Sequence, residues 1–266
     1  MGSERAPETV GGYRLGRRLD SGGAAETYQA TGSSGEVVVL KILRDVSAEL
    51  VADMSARLQA AIRHPSLINP STWGEDGGDF YVVRDYVPGI DLESMIQAGG
   101  PLEPSLAVRY LLQAAAAVAA IQAQGVTHGN LKSSNLLVAA DSDQVMVVGW
   151  GMAIANILPE EESRAAATAY YLSPEQIEND LVIPQSDVYA LGAILYELVT
   201  GVVPFDGISA AEVAQKHMTM APTPPSRRRA GVPRWIDEVV GRALQKNPAS
   251  RYQSAEEMRR ALVSYL

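Results

Sequence analysis

Ser186-Asp187-Val188-Tyr189-Ala190-Leu191-Gly192-Ala193-Ile194-Leu195-Tyr196-Glu197-Leu198-Val199-Thr200-Gly201-Val202-Val203-Pro204-Phe205 holds the longest apolar run of the chain, from Val188 to Phe205. Glu197, Gly201 and Pro204 interrupt it. A membrane-spanning helix needs about 20 apolar residues. The run therefore reads as a buried central helix over 186–200 in a soluble domain. Leu111 to Ile121 is Ala-rich and too short to span, and reads as a second core helix. Working outward, helices are expected over 91–98, 104–124, 209–219, 232–245 and 254–265.

The first third differs. Tyr13 to Leu19 alternates, Ala24 to Ala30 follows a Gly pair, and Glu36 to Leu43 is β-branched and bounded by Gly35. These read as strands, as does Phe80 to Val87. A helix is expected over 46–63, from Val46, Leu50, Met54, Leu58, Ala61 and Ile62. Pro88-Gly89 then breaks the chain. Two short strand signals follow, at Leu136–Val138 and Val145–Val148. The expected organisation is α+β: a tail over 1–12, a small β-rich half over 13–87 and a larger helical half over 88–266.

Composition excludes several classes. At 266 residues, 47% hydrophobic and 20% charged, the chain is globular and not disordered. Its net charge of -9 argues against nucleic-acid binding, which needs a basic face. It has no Cys, hence no disulfide, thiol nucleophile or thiolate-bound zinc. Three scattered histidines, His64, His128 and His217, do not suggest a metal site. The N-terminus has no signal-peptide core, and Ala6 stands where a myristoylation motif wants Ser or Thr. Arg227-Arg228-Arg229 lies between prolines and reads as a solvated loop.

Seven motifs occur in order. They are Ser21-Gly22-Gly23 between two strands; Val38-Val39-Leu40-Lys41; His128-Gly129-Asn130-Leu131-Lys132-Ser133-Ser134-Asn135; Val148-Gly149-Trp150-Gly151; Ser173-Pro174-Glu175; Ser186 to Gly192; and Asn247-Pro248 to Arg251-Tyr252. Over residues 13–266 this series resembles the eukaryotic-like Ser/Thr protein kinases, in wording closest to bacterial members. More narrowly, the chain resembles the cytoplasmic pseudokinase domain of mycobacterial peptidoglycan-precursor flippases of the MviN type, chiefly through Gly149-Trp150-Gly151. The resemblance implies a two-lobed protein-kinase-like fold. It also implies a buried ion pair between Glu175 and Arg251, and an Asp187 that accepts backbone N–H bonds from the catalytic loop.

Phosphoryl transfer depends on positioning and charge neutralisation. It wants one carboxylate for Mg²⁺ and another to take the hydroxyl proton. In the resemblance these places fall to Gly149, which has no side chain, and Asn130, whose amide takes no proton near neutral pH. Ser55 stands where a helix Glu would pair with Lys41; Glu49, six residues away, is on another face. Lys41 is therefore without its family partner, and the fold must find it another acceptor or leave it wet. Gly129 replaces the Arg before the catalytic Asp. Asp20 and Ala25 replace the first and third glycines of the phosphate loop, and Arg84 takes the gatekeeper place.

The expectation is a catalytically inactive module with no catalytic residue, no metal and no cofactor. Asp20, Gly22, Gly23, Lys41, Arg84, Lys132, Asn135 and Trp150 would line a vestigial cleft. Lys132 and Asn135 are read either as loop-forming or as residual ligand contacts, and Trp150 either as core or as a plug in the cleft. The second reading is a divergent ATP-binding, kinase-like enzyme with weak or unusual transferase activity, drawing on Asp20, Glu26 or Asp85 for a carboxylate. For an inactive module the resemblance implies two protein partners: a true Ser/Thr kinase, and a phosphothreonine-reading forkhead-associated protein that regulates peptidoglycan synthesis. Thr9 and Thr168 are candidate acceptors, with no choice between them and others. No nucleic-acid partner is expected. By resemblance the domain, itself soluble, sits on the cytoplasmic side of the plasma membrane within a larger membrane protein.

Overall fold

The computed structural model describes residues 9–20, 25–44, 46–60, 62–151 and 169–265. Ser21, Gly22, Gly23, Ala24 and Thr168 lie outside the described residues, as does the Asp20 side chain. The chain divides into two units, Met1–Gln59 with Ile68–Val87, and Ala60–Leu67 with Pro88–Leu266.

The smaller unit is a six-stranded antiparallel sheet plus one helix. Its strands are β1 (Thr9–Val10), β2 (Tyr13–Asp20), β3 (Ala25–Thr31), β4 (Val37–Leu43), β5 (Pro70–Asp76) and β6 (Asp79–Asp85), in the order β1-β2-β3-β4-β6-β5. The expected tail therefore ends in structure. Gly11 and Gly12, at φ 60° and 83°, turn the chain so that Val10 pairs with Tyr13 and is buried. Only residues without a Cβ take two such angles in succession at little cost. β5 was not expected either: it starts on Pro70, carries Gly74 and forms a sheet edge, where alternation is weakest.

Strand alternation sorts this sheet into two faces. Val38, Leu40, Ile42 and Val83 form one face with Ala30 and Val10. Val39 and Lys41 therefore lie on the other. The helix α1 (Ala48–Leu58) is capped by Ser47 and buries Met54 and Leu58, one turn apart.

The larger unit contains β7 (Gly89–Asp91), α2 (Leu92–Gly99), α3 (Pro104–Gln122), β8 (Leu136–Ala139), β9 (Val145–Val147), α4 (Pro174–Asn179), α5 (Pro184–Thr200), α6 (Ala210–Thr219), α7 (Pro225–Arg228), α8 (Arg234–Ala243) and α9 (Ala255–Val263). β7, β8 and β9 form a small antiparallel sheet. The quoted stretch is the central helix: every residue of α5 from Ser186 to Val199 is buried. It packs against α3, α8 and α9, and Gly201 closes it at φ 79°. α3 is long and apolar enough to cross a membrane, yet it buries Ala107, Val108, Leu111, Ala114, Ala115, Val118 and Ile121 inside this unit.

Arg227 and Arg228 are exposed, as expected, but on a short helix, and Arg229 is only partly exposed. Its guanidinium donates to the Leu102 and Val199 carbonyls and pairs with Glu103. The Leu102 carbonyl, just before α3, and the Val199 carbonyl, in the last turn of α5, hold it.

Candidate active site

The segment His128–Asn135 is built around Asp187 in the first turns of α5. Asp187 is 1% exposed. Its carboxylate accepts N–H bonds from His128 at 3.0 Å, Gly129 at 2.8 Å and the Gln122 amide at 3.1 Å. Gly129 makes this possible, because φ 72° lets adjacent amides converge on one anion. The expectation for Asp187 holds. Burial pushes its carboxyl up to about 6, against those three hydrogen bonds.

His128 is fully buried and links two stretches. Its Nδ1 accepts the Asn130 N–H at 3.3 Å, so the hydrogen-bond network assigns the proton to Nε2, which donates to the Val148 carbonyl at 3.1 Å. Asn135 completes the frame. Its amide donates to the Asn130 carbonyl at 2.7 Å, and its own carbonyl accepts the Val148 N–H at 3.0 Å. Gln176 on α4 donates to the Gly129 carbonyl at 3.1 Å. Asn130, Asn135 and Gly149 are thus brought together on one hydrogen-bonded frame. A shallow depression beside Asn130 is lined by Lys132, Tyr171, Leu172 and Gln176.

Gly149 and Gly151 take φ 80° and 77°. Between them Trp150 is 1% exposed and belongs to the core of the larger unit. Its Nε1 meets no partner among the described residues. The pair Glu175–Arg251 is present: both guanidinium nitrogens reach the carboxylate, at 2.7 and 2.8 Å.

The smaller unit carries the remaining expected residues. Lys41 sits on β4 opposite Thr27 and Val82, and it has an interaction partner. Arg84 lies opposite Val39, so it shares the face of Lys41. Burial pushes its guanidinium down to about 10, with Asp85 opposing, and it donates to the Asp85 carbonyl at 3.0 Å. Glu26 stands opposite Ile42, and Asp85 opposite Val38. Both therefore point to the face away from Lys41, and Glu26 is already paired with Arg18 and Arg44, each at 2.9 Å. Neither serves as the substitute carboxylate. Ser55 is on α1 beside the buried Met54.

The kinase resemblance implies a divalent cation with ATP, and the oxygen donors near Gly149 are few. The Asn135 amide nitrogen donates to the Asn130 carbonyl, so Oδ1, 3.4 Å from where a Gly149 Cβ would stand, is the side-chain oxygen that Asn135 offers there. That is a single neutral oxygen. No group of three His, Cys, Asp or Glu that could hold a metal occurs among the described residues. These residues do not fit a divalent ion on their own.

Sequence reasoning missed a second polar cluster. Glu197 had registered only as an interruption of the apolar run. The structure makes it a 7% exposed carboxyl that accepts from the Tyr171 hydroxyl at 2.7 Å, and that hydroxyl meets Ser133 Oγ at 2.8 Å. A lone acid inside an otherwise apolar helix was the available signal. Burial pushes Glu197 up to about 7, with the Glu93 charge adding and both hydroxyls opposing. A raised carboxyl pKa means that the folded state keeps a proton the unfolded chain has released. Stability is then full below the ordinary carboxyl range and falls as pH rises through 7. Glu197→Gln is expected to escape this loss, so its stability relative to wild type gains about 3 kcal/mol between pH 4.5 and 8. Urea unfolding at both pH values measures it. An unchanged gap would refute the titration.

The protein kinase domain family model matches residues 13–263. The chain is 38% identical over 267 residues to the Ser/Thr protein kinase PknB of Mycobacterium tuberculosis, covering 94% of this chain and 42% of that protein. It is 33% identical over 256 residues to the Ser/Thr protein kinase PrkC of Bacillus subtilis, covering 93% and 39%. The chain thus spans about two fifths of these relatives. The crystal structure of the PknI kinase domain of Mycobacterium tuberculosis superposes at TM-score 0.77 with 21% identity, covering 99% of this chain and all of that one. The two-unit architecture is therefore the protein kinase fold. These findings overturn the expectation of an inactive, non-enzymatic pseudokinase of the flippase type. The relatives that match nearly the whole chain are named as kinases. The departures at 130 and 149, and those at 20, 25, 55, 84 and 129, stand within a chain that matches named kinases along nearly its whole length.

Proposed function

This chain belongs to the protein kinase domain family, and from that premise we propose that it is a divergent ATP-dependent phosphotransferase of the Ser/Thr kinase class, transferring slowly to a hydroxyl group. The identity to named Ser/Thr kinases across 94% of the chain carries this reading. The loop frame supports it, because transfer is mostly positioning. Rate is where the domain departs from its relatives. The Asn130 amide orients a hydroxyl without taking its proton, which passes to solvent, and loss of a general base costs about 10²–10⁴ in rate.

The test is transfer of labelled γ-phosphate from ATP to a Ser/Thr peptide, with Mg²⁺ and Mn²⁺ arms, alongside thermal unfolding with ATP. Slow transfer above the blank is expected. ATP at 100 times its dissociation constant should add about 2.7 kcal/mol of stability. The absence of both transfer and stabilisation would end this reading. ATP as donor suits a cytoplasmic location, and we place the domain there, tethered to the membrane within a longer chain. The partner we propose is a phosphothreonine-reading forkhead-associated protein, with Thr9, exposed on β1, as the described candidate acceptor. A pull-down indifferent to phosphorylation would refute that pairing.

A further inference from the structure

We propose that Ser133 is a positioning residue for the hydroxyl substrate: its hydroxyl fixes the Tyr171 ring, on one side of the depression beside Asn130, to the catalytic loop that forms the other side. The role presupposes the phosphotransferase reading, and within it Ser133 sets how well the substrate binds.

Asn130, Leu131 and Lys132 line one side of the depression, and Tyr171, Leu172 and Gln176 the other. All belong to the larger unit. The first side is held by its own frame. Asp187 accepts from the His128 and Gly129 amides, and Asn135 donates to the Asn130 carbonyl. Ser133 is part of that frame. It directly follows Lys132 and opens the short helical turn Ser133–Asn135, whose last amide donates to the Lys132 carbonyl at 2.9 Å.

The second side is tied from outside. The Tyr171 hydroxyl has one proton, and it goes to the Glu197 carboxyl on α5 at 2.7 Å. Burial raises that hydroxyl well above its ordinary range, so the proton stays. Its oxygen is left to accept from the Ser133 hydroxyl at 2.8 Å. Glu197 thus fixes Tyr171 to the central helix, and Ser133 fixes it to the catalytic loop. Gln176 makes a second tie across the depression, donating to the Gly129 carbonyl at 3.1 Å. Ser133 is fully buried and Tyr171 is 6% exposed, so water does not stand in for a lost hydroxyl. Ser133 does not line the depression, so it acts through Tyr171 and is not itself catalytic. Without its hydroxyl, Asn130 and Lys132 keep the places their frame gives them, while the Tyr171 ring turns about its remaining bond. Substrate binding then weakens and the reacting groups stay in register.

The test is steady-state transfer from saturating ATP with Mg²⁺ to a Ser/Thr peptide, for wild type, Ser133→Ala, Tyr171→Phe and the double variant. Tyr171→Phe keeps the ring and loses both hydroxyl bonds. Ser133→Ala is expected to raise the peptide KM by about two- to tenfold, the span of one neutral hydrogen bond, with kcat and the ATP dissociation constant within about twofold of wild type. The double variant is expected to match Tyr171→Phe alone, because the bond to Ser133 is already gone. A Ser133→Ala change that lowers kcat with KM unmoved, or that leaves both unmoved, would overturn the proposal, as would single-variant effects that multiply in the double. Hydrogen exchange of the free chain, read by mass spectrometry, separates this role from the phosphotransferase reading, which fails if wild type transfers nothing. Faster exchange over 169–172 in Ser133→Ala, with 128–135 unchanged, is expected; equal exchange over 169–172 in wild type and variant would overturn the tie whatever the activity.

Discussion

Asn130→Asp is expected to raise the rate of phosphate transfer by about 10²–10⁴, the range a positioned general base supplies. The change keeps side-chain shape and alters one property, the ability to accept a proton. The surrounding frame does not depend on the Asn130 side chain. Its backbone N–H goes to His128 Nδ1 and its carbonyl receives the Asn135 amide at 2.7 Å. The new carboxylate would stand beside the depression lined by Lys132 and Gln176. Initial rates with labelled ATP and a Ser/Thr peptide decide it. A variant that folds and binds ATP but gains no rate would show that proton removal does not limit this domain.

Gly149→Asp extends the same argument. A Cβ there meets Asn135 at 3.4 to 3.5 Å, an ordinary contact. The backbone at φ 80° charges a side chain about 1–2 kcal/mol of strain. In return, a carboxylate would join the Asn135 oxygen, giving a divalent ion two donors instead of one neutral oxygen. The double variant is expected to exceed Asn130→Asp alone only when Mg²⁺ is present. Magnesium-independent gain would separate the second substitution from metal binding.

The fold was legible because its two strongest signals are local. The Val188–Phe205 run and the β-branched Val37–Leu43 strand need no partner to be recognised. Asp187 and the Glu175–Arg251 pair were legible for another reason: the resemblance of their motifs to the kinase family implied both roles, and the hydrogen bonds are there. What failed was the relational part. With Ser55 in place of the expected Glu, Lys41 was left between another acceptor and solvent; the structure gives it a partner, and sequence spacing does not show which. Glu26 and Asp85 were plausible carboxylates until strand register put both on the wrong face. The Tyr171–Glu197–Ser133 cluster depends on residues far apart in sequence, as hydrogen bonds across 26 and 38 positions must. The inactive reading failed by weight: altered single positions, Asn130 and Gly149 foremost, were set above the likeness of nearly the whole chain to named kinases.

Arg251→Ala is expected to destabilise the domain by about 3–5 kcal/mol, lowering Tm by on the order of 10 °C. Arg251 is 1% exposed. Five hydrogen bonds satisfy it: two to Glu175, and one each to the carbonyls of Gln245 at 2.6 Å, Gln185 at 3.0 Å and Lys246 at 2.9 Å. Truncation strands three carbonyls and leaves Glu175 buried with only Ser186, at 2.7 Å, to hold its charge. Burial alone would raise the Glu175 carboxyl; the Arg251 hydrogen bonds and charge reverse this and hold it below the ordinary range. A lowered carboxyl pKa contributes stability above the ordinary carboxyl range and loses it as pH falls through the folded value. The deficit of Arg251→Ala should therefore be largest at neutral pH and shrink toward pH 4, where the stranded carboxyl takes a proton. Pairing the change with Glu175→Gln removes the stranded charge, so the double variant should recover part of the loss instead of adding to it. Thermal and urea unfolding of the two single variants and the double at pH 4.5 and 7.5 decide the matter. Additive losses at both pH values would mean that Arg251 acts through its carbonyl contacts and packing on Tyr189, with the ion pair incidental.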